Sequence, residues 1–75
     1  MQTKFKRHQE VVLKAIPNPD YIEYHDGFED SKINIGMKGK INILLPNGQY
    51  HVEVLNKKNE IIAYVLMPEE DLESI

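Results

Sequence analysis

The chain has 75 residues, no cysteine and a formal net charge of −3. One domain spanning 1–75 is all that this length accommodates, with a modest core, because a chain so short buries only about 60% of the surface it exposes when unfolded. Missing thiols exclude a disulfide staple and a thiolate metal site.

Charge is unevenly spread. Residues 1–67 carry nine Lys/Arg against eight Asp/Glu, while Glu69, Glu70, Asp71 and Glu73 form an acidic tail over 68–75. That balance neither demands nor excludes a polyanionic partner. The longest apolar run, Ile61 to Met67, is seven residues, whereas a membrane-spanning helix needs about 20. No membrane span and no signal peptide are expected, which makes the cytoplasm the expected location.

At the N-terminus, Phe5, Val12, Ala15 and Ile16 recur at helical spacing, with Val11 and Leu13 widening the stripe. This predicts an amphipathic helix over 4–16, capped by Thr3 and ended by Pro17. Pro17-Asn18-Pro19-Asp20 reads as a rigid turn. Alternation then predicts a strand over 21–25, with Tyr21, Glu23 and His25 on one side, followed by an Asp26-Gly27 hairpin turn. Ile33, Ile35 and Met37 alternate with polar residues, predicting a strand over 32–37, and Lys38-Gly39 turns or bulges into the next one.

The most sheet-like stretch is Lys40 to Met67. Ile41, Ile43 and Leu45 make one face of a strand over 40–45, Pro46-Asn47-Gly48 closes a turn, and Tyr50, Val52 and Val54 answer on a strand over 50–55. After the polar turn Asn56 to Asn59, a strand over 60–67 is apolar on both faces. Pro68 then starts a helical turn with Leu72 and Ile75 docked. The expected fold class is therefore α+β: an N-terminal helix packed on a five-stranded, mainly antiparallel sheet or small OB-like barrel.

Motifs for chemistry are sparse. His8, His25 and His51 lack the convergent partners that zinc requires, and no metal site or cofactor is expected. No nucleophile–histidine pair or phosphate-cradling glycine loop occurs. Gly36-Met37-Lys38-Gly39 has the GxxG spacing of KH domains, but the β-branched run after it does not form the helix that motif needs. Lys38 and Lys40, Lys57 and Lys58, and the N-terminal Lys4, Lys6, Arg7 and Lys14 form three small basic groups, with Tyr21, Tyr24, Tyr50 and Tyr64 as stacking faces. The expected nucleic-acid contacts are Lys38, Lys40, Tyr50, His51, Lys57, Lys58 and Tyr64. Basic groups interleaved with aromatic rings are how single strands of nucleic acid are held.

Residues 39–66 resemble the first three strands of the bacterial and plastid translation initiation factor one family, an S1-type OB-fold. Gly39, Ile41, Leu45-Pro46-Asn47-Gly48, Tyr50, Val52-Glu53-Val54, Asn56 and Ile61-Ile62-Ala63-Tyr64-Val65 carry the likeness. It implies an RNA or ribonucleoprotein partner, with the strands 21–25 and 32–37 flanking the central three in a permuted barrel. The family has a basic Gly-Lys-x-Arg segment where this chain has Pro68-Glu69-Glu70-Asp71.

A fainter likeness spans the whole chain. Arg7-His8, Asn18-Pro19-Asp20 and Ile61-Ile62-Ala63-Tyr64 resemble small ribonuclease toxins related to barnase, EndoU and RelE. This implies Arg7, His8 and His51 as catalytic residues, with Ala63 standing where those families place a hydroxyl. The readings carried forward are a non-catalytic module contacting RNA or a ribonucleoprotein, a protein-binding adaptor or inhibitor acting through a sheet edge or the acidic tail, and a ribonuclease-like domain. A homodimer through a sheet edge is compatible with the first two.

Overall fold

The computed structural model describes residues 4–75, so the expected Thr3 cap lies outside the described residues. Six strands form one antiparallel sheet: β1 Glu10–Leu13, β2 Ile22–Tyr24, β3 Lys38–Leu44, β4 Gln49–Leu55, β5 Ile61–Pro68 and β6 Leu72–Ser74, in the order β2-β5-β4-β3-β1-β6. Among the described residues the only helical elements are 3₁₀ turns at Pro19–Tyr21, Pro46–Gly48 and Glu69–Asp71. The fold is therefore all-β and the sheet is open, which corrects the expected α+β class and its barrel alternative.

The largest correction is at the N-terminus, where the expected helix over 4–16 is a turn followed by β1. His8 sits at φ 68°, in the left-handed region, and breaks any helix there. Val11 and Leu13 then point into the core while Val12 between them is half-buried, a period of two and not of 3.6. An isolated helix of about 13 residues is marginal in water. Pairing with strands on both sides wins: Val11 lies opposite Gly39 on β3 and opposite Ser74 on β6. Ile16, assigned to the apolar stripe, is 62% exposed.

The strand expected over 32–37 is also absent. Met37 N–H donates to the Asn34 carbonyl, and Gly36 takes φ 93°, turning the chain so that Ile33 is buried but Ile35 is not. Gly36 and Met37 instead exchange backbone hydrogen bonds with Leu13, extending the β1 edge. The segment flanking β3 is therefore β1, while β2 flanks β5. The turn at Asp26-Gly27 forms, but β2 pairs with β5 and makes no hairpin with the segment after it. At the C-terminus Leu72 is fully buried as expected, though on a strand, and Ile75 is left exposed.

The central meander forms as expected in strands and turns, but a register shift between Ile41 and Ile43 breaks the face expected of Ile41, Ile43 and Leu45 and leaves Ile43 exposed. Asn47 and Gly48 both take positive φ, 65° and 71°, in the β3–β4 turn, a conformation Asn and Gly tolerate best. Gly39 is required for a different reason. A Cβ there would stand 2.7 Å from Val52 Cγ1 and 3.3 Å from Leu13 Cδ1, so the three strands close over a position with no room for a side chain.

The inner face of the sheet carries the core: Val11, Leu13, Ile41, Tyr50, Val52, Val54, Ala63, Val65, Met67 and Leu72, with Phe5 and Ile33 brought over it by the flanking segments. Phe5 stands edge-on to Tyr50 at 5.4 Å between ring centroids. The Phe5 N–H donates to the Tyr50 hydroxyl (3.2 Å), which donates to Glu69 Oε1 (2.7 Å), and Lys4 N–H donates to that same carboxylate oxygen (2.9 Å). One hydroxyl therefore clasps the N-terminal segment to the 3₁₀ turn before β6.

Candidate nucleic-acid interface

Residues alternating with the core project from the opposite, outer face. Strand register arranges them in a transverse row: Glu10 opposite Lys40, Lys40 opposite Glu53, Glu53 opposite Tyr64, and Tyr64 opposite Glu23. Cross-strand pairing of opposite charges is favourable by tenths of a kcal/mol. Lys40, picked from sequence as a phosphate contact, is thus set between two carboxylates.

Beside this row stand the rings. His51 on β4 stacks on Tyr64 of β5, with centroids 5.6 Å apart and planes 21° from parallel. On the other side of Tyr64, His25 lies at 6.3 Å, tilted by 31°, and meets Phe28 edge-on at 6.3 Å. Because β5 lies between β4 and β2, Tyr64 separates the two imidazoles. The Asn42 amide Nδ2 is 3.1 Å from His51 Nδ1, so with the amide donating, the neutral ring keeps its proton on Nε2. A groove of about 390 Å³ runs along His51, Tyr64 and Leu66 to Tyr21 and Glu23 at the β2 edge.

The residues selected from sequence divide into four places. His51 and Tyr64 are together on the outer face. Tyr50 is on the inner face at 1% exposure and has no ring face to offer a ligand. Its neighbours set its chemistry: burial, then the bond to Glu69, push the phenol above its ordinary value, while the Tyr50 hydroxyl and the Lys4 amide hold Glu69 below the usual carboxylate range. Lys38 and Lys57 line a separate cleft near the β4–β5 turn, with Lys58 exposed in that turn.

Of the nuclease candidates, Arg7 Nε donates to the Asn42 carbonyl (3.0 Å), which places Arg7 near the residue whose amide meets His51. His8 is tied through its backbone N–H to the Ile41 carbonyl. Among the described residues no group of three or more His, Cys, Asp or Glu could hold a metal ion.

Sequence reasoning named Tyr21 as a stacking ring but missed His25 and Asn42 as members of this face. The alternation over 21–25 put Tyr21 and His25 on one side of a strand, and the pairing of β2 with β5 was the missing step that brings them to Tyr64. No family model, curated protein or solved structure matches the chain. No helix among the described residues is long and apolar enough to cross a membrane.

Proposed function

We propose that this chain is a small non-catalytic binding module whose outer sheet face contacts single-stranded RNA or a ribonucleoprotein. The observation that carries the reading is the His51–Tyr64–His25 array beside the groove ending at Tyr21. Rings on a sheet face take unstacked bases, each worth about 1–3 kcal/mol, without reading sequence. The face is not basic in itself, given Glu23 and Glu53, so stacking carries more of the affinity than phosphate neutralisation. The likeness of the β3–β5 meander to the initiation factor family supports ribosomal RNA as the target and a cytoplasmic location.

The test is binding of single-stranded and ribosomal RNA by the purified protein as salt is raised. Affinity is expected to fall between about 50 and 200 mM salt, and Tyr64→Ala is expected to weaken binding roughly tenfold or more at every salt concentration. Absence of binding at low salt sinks the reading. Recovering the RNA intact separates the module from a nuclease; cleavage that His8→Ala abolishes would put the toxin-like reading in its place.

A second reading has its own observation. The bulge between Ile41 and Ile43 breaks the alternation of β3, leaving the adjacent Ile43 and Leu44 46% and 39% exposed. Exposed neighbouring aliphatics on a stretch of β3 that the β1 register does not reach suit a protein partner. A protein, in place of RNA, retained through nuclease treatment during purification from the source cell would favour that adaptor role.

A further inference from the structure

A second depression lies away from the ring array. It is a cleft of about 480 Å³ between the segment before β3 and the β4–β5 turn, lined by Met37 and Leu55, by Lys38 and Lys57, and by Asn34 and Asn59. Its size falls in the range of small-molecule sites, about 300–1,000 Å³. Leu55 is 7% exposed yet is not part of the inner core cluster. Strand β4 is regular from His51, so residues 51, 53 and 55 alternate with the core residues Tyr50, Val52 and Val54 and share the outer face. The bulge at the Val54–Leu55 step has its extra residue, Ile62, on β5, where Ala63 opposes Val54 and Ile61 opposes Leu55.

Met37 packs against the inner core, so the cleft lies at the end of the sheet, with Leu55 on the outer-face side and Met37 on the inner side. His51 and Leu55 are four positions apart on β4, roughly 13 Å at strand rise. A single strand engaged over four or more nucleotides, as on OB-folds where sites span about 4–16, covers that distance.

The turn is built to present this wall. Asn56 Oδ1 accepts the N–H groups of Lys58 and Glu60, its amide donates to Glu60 Oε1, and Asn59 adopts φ 63°. The Asn56 side chain is consumed in holding the turn, which fixes Lys57 and Asn59 at the cleft mouth. An apolar floor with a lysine on each of two facing segments is complementary to one kind of small ligand: a flat apolar body carrying a negative group. Unlike Lys40, neither Lys38 nor Lys57 has a carboxylate directly opposite it in the strand pairing.

We infer that this cleft is a nucleotide subsite, seating a base against Met37 and Leu55 with its phosphate between Lys38 and Lys57. The inference rests on the reading of the outer face as a nucleic-acid interface and extends it from stacked rings to a second point of attachment.

The experiment follows backbone amide signals of the full chain by NMR, with adenosine 5′-monophosphate, inorganic phosphate and a short single-stranded RNA as three separate probes. The mononucleotide is expected to shift Lys38, Leu55 and Lys57 saturably, and inorganic phosphate to do so roughly tenfold more weakly or worse. A Lys38→Gln, Lys57→Gln double variant should lose the response while its spectrum keeps the dispersion of the folded chain, since both side chains are exposed.

Equal responses to phosphate and mononucleotide, or none at these amides, overturn the subsite. RNA that moves Tyr64 and His51 but leaves the cleft unmoved refutes the cleft alone. A mononucleotide that fills the cleft while RNA leaves Tyr64 and His51 unmoved supports the subsite and defeats the outer-face reading. RNA and mononucleotide that move neither group defeat both.

Discussion

Tyr50 and Tyr64 sit on adjacent strands of the same sheet and do opposite things. Tyr50 faces inward, packs edge-on against Phe5 and spends its hydroxyl on the Phe5 amide and the Glu69 carboxylate. Tyr64 faces outward between two imidazoles and remains half-exposed. Both occur in alternating β-branched runs, and either reads as a stacking platform. What separates them is the neighbourhood supplied by distant segments, so the composition of a strand does not say which of its aromatic rings is available to a ligand.

That contrast is sharpest when each ring is removed. Tyr50→Ala should cost about 3–5 kcal/mol, as for other large core truncations, a sizeable part of the 5–15 kcal/mol typical of a domain. Denaturant unfolding measures it, and a loss below about 1 kcal/mol would mean that the clasp does not hold the inner face. Tyr50→Phe keeps the ring and orphans the Phe5 N–H, for an expected loss of about 1–3 kcal/mol in the same assay.

Gly39→Ala probes the inner face at its tightest point. Its added methyl must displace Val52 or Leu13, and the expected destabilisation is again about 1–3 kcal/mol, with crowding as its cause. A neutral result would show that β1 can move away from β3 without penalty.

Protonation gives a smaller effect with a definite sign. The Glu69 carboxyl is held below its ordinary value, so its contribution is present above about pH 4.5 and fades as pH falls through the lowered value. Tyr50 is shifted the other way, so its contribution is complete below about pH 10 and is lost as pH rises through the raised value. Glu69→Gln should flatten the acid limb of the stability profile. An unchanged acid limb in that variant would assign the loss to other carboxylates.

Tyr64→Ala should have the least effect on folding, within about 1 kcal/mol on a half-exposed position. Its consequence should appear in RNA affinity, as the mirror image of Tyr50→Ala.

Legibility in the sequence follows the range of the interactions involved. The β3–β5 meander was readable because each strand pairs with its neighbour in sequence and because Asn47-Gly48 has the chemistry its turn demands. Outside the meander, local cues competed. Phe5, Val12 and Ile16 match a helical stripe as well as they match a strand preceded by an anchor, and the decision lies in β3 and β6, which the segment cannot encode by itself. The sequence over 32–37 alternates correctly for a strand, yet the positive φ at Gly36 ends the alternation.

The outer site was half legible. His51 and Tyr64 were found because they lie on paired strands of the meander. Lys38 and Lys57 were identified as basic groups, but the cleft they share depends on how two turns meet. Asn42 gave no local signal of its placement, and for His25 alternation gave the strand side but not the β5 partner that brings it to Tyr64.

β1 is held on one side by β3 and on the other by β6, with Val11 set against both Gly39 and Ser74. The second pairing joins residues about sixty positions apart, a closure that chain entropy makes slow. Completion of this sheet therefore waits on residues 72–74: until they arrive, β1 remains a bare border able to recruit a stranger's strand, and β6 serves as an intramolecular guard against that misassociation.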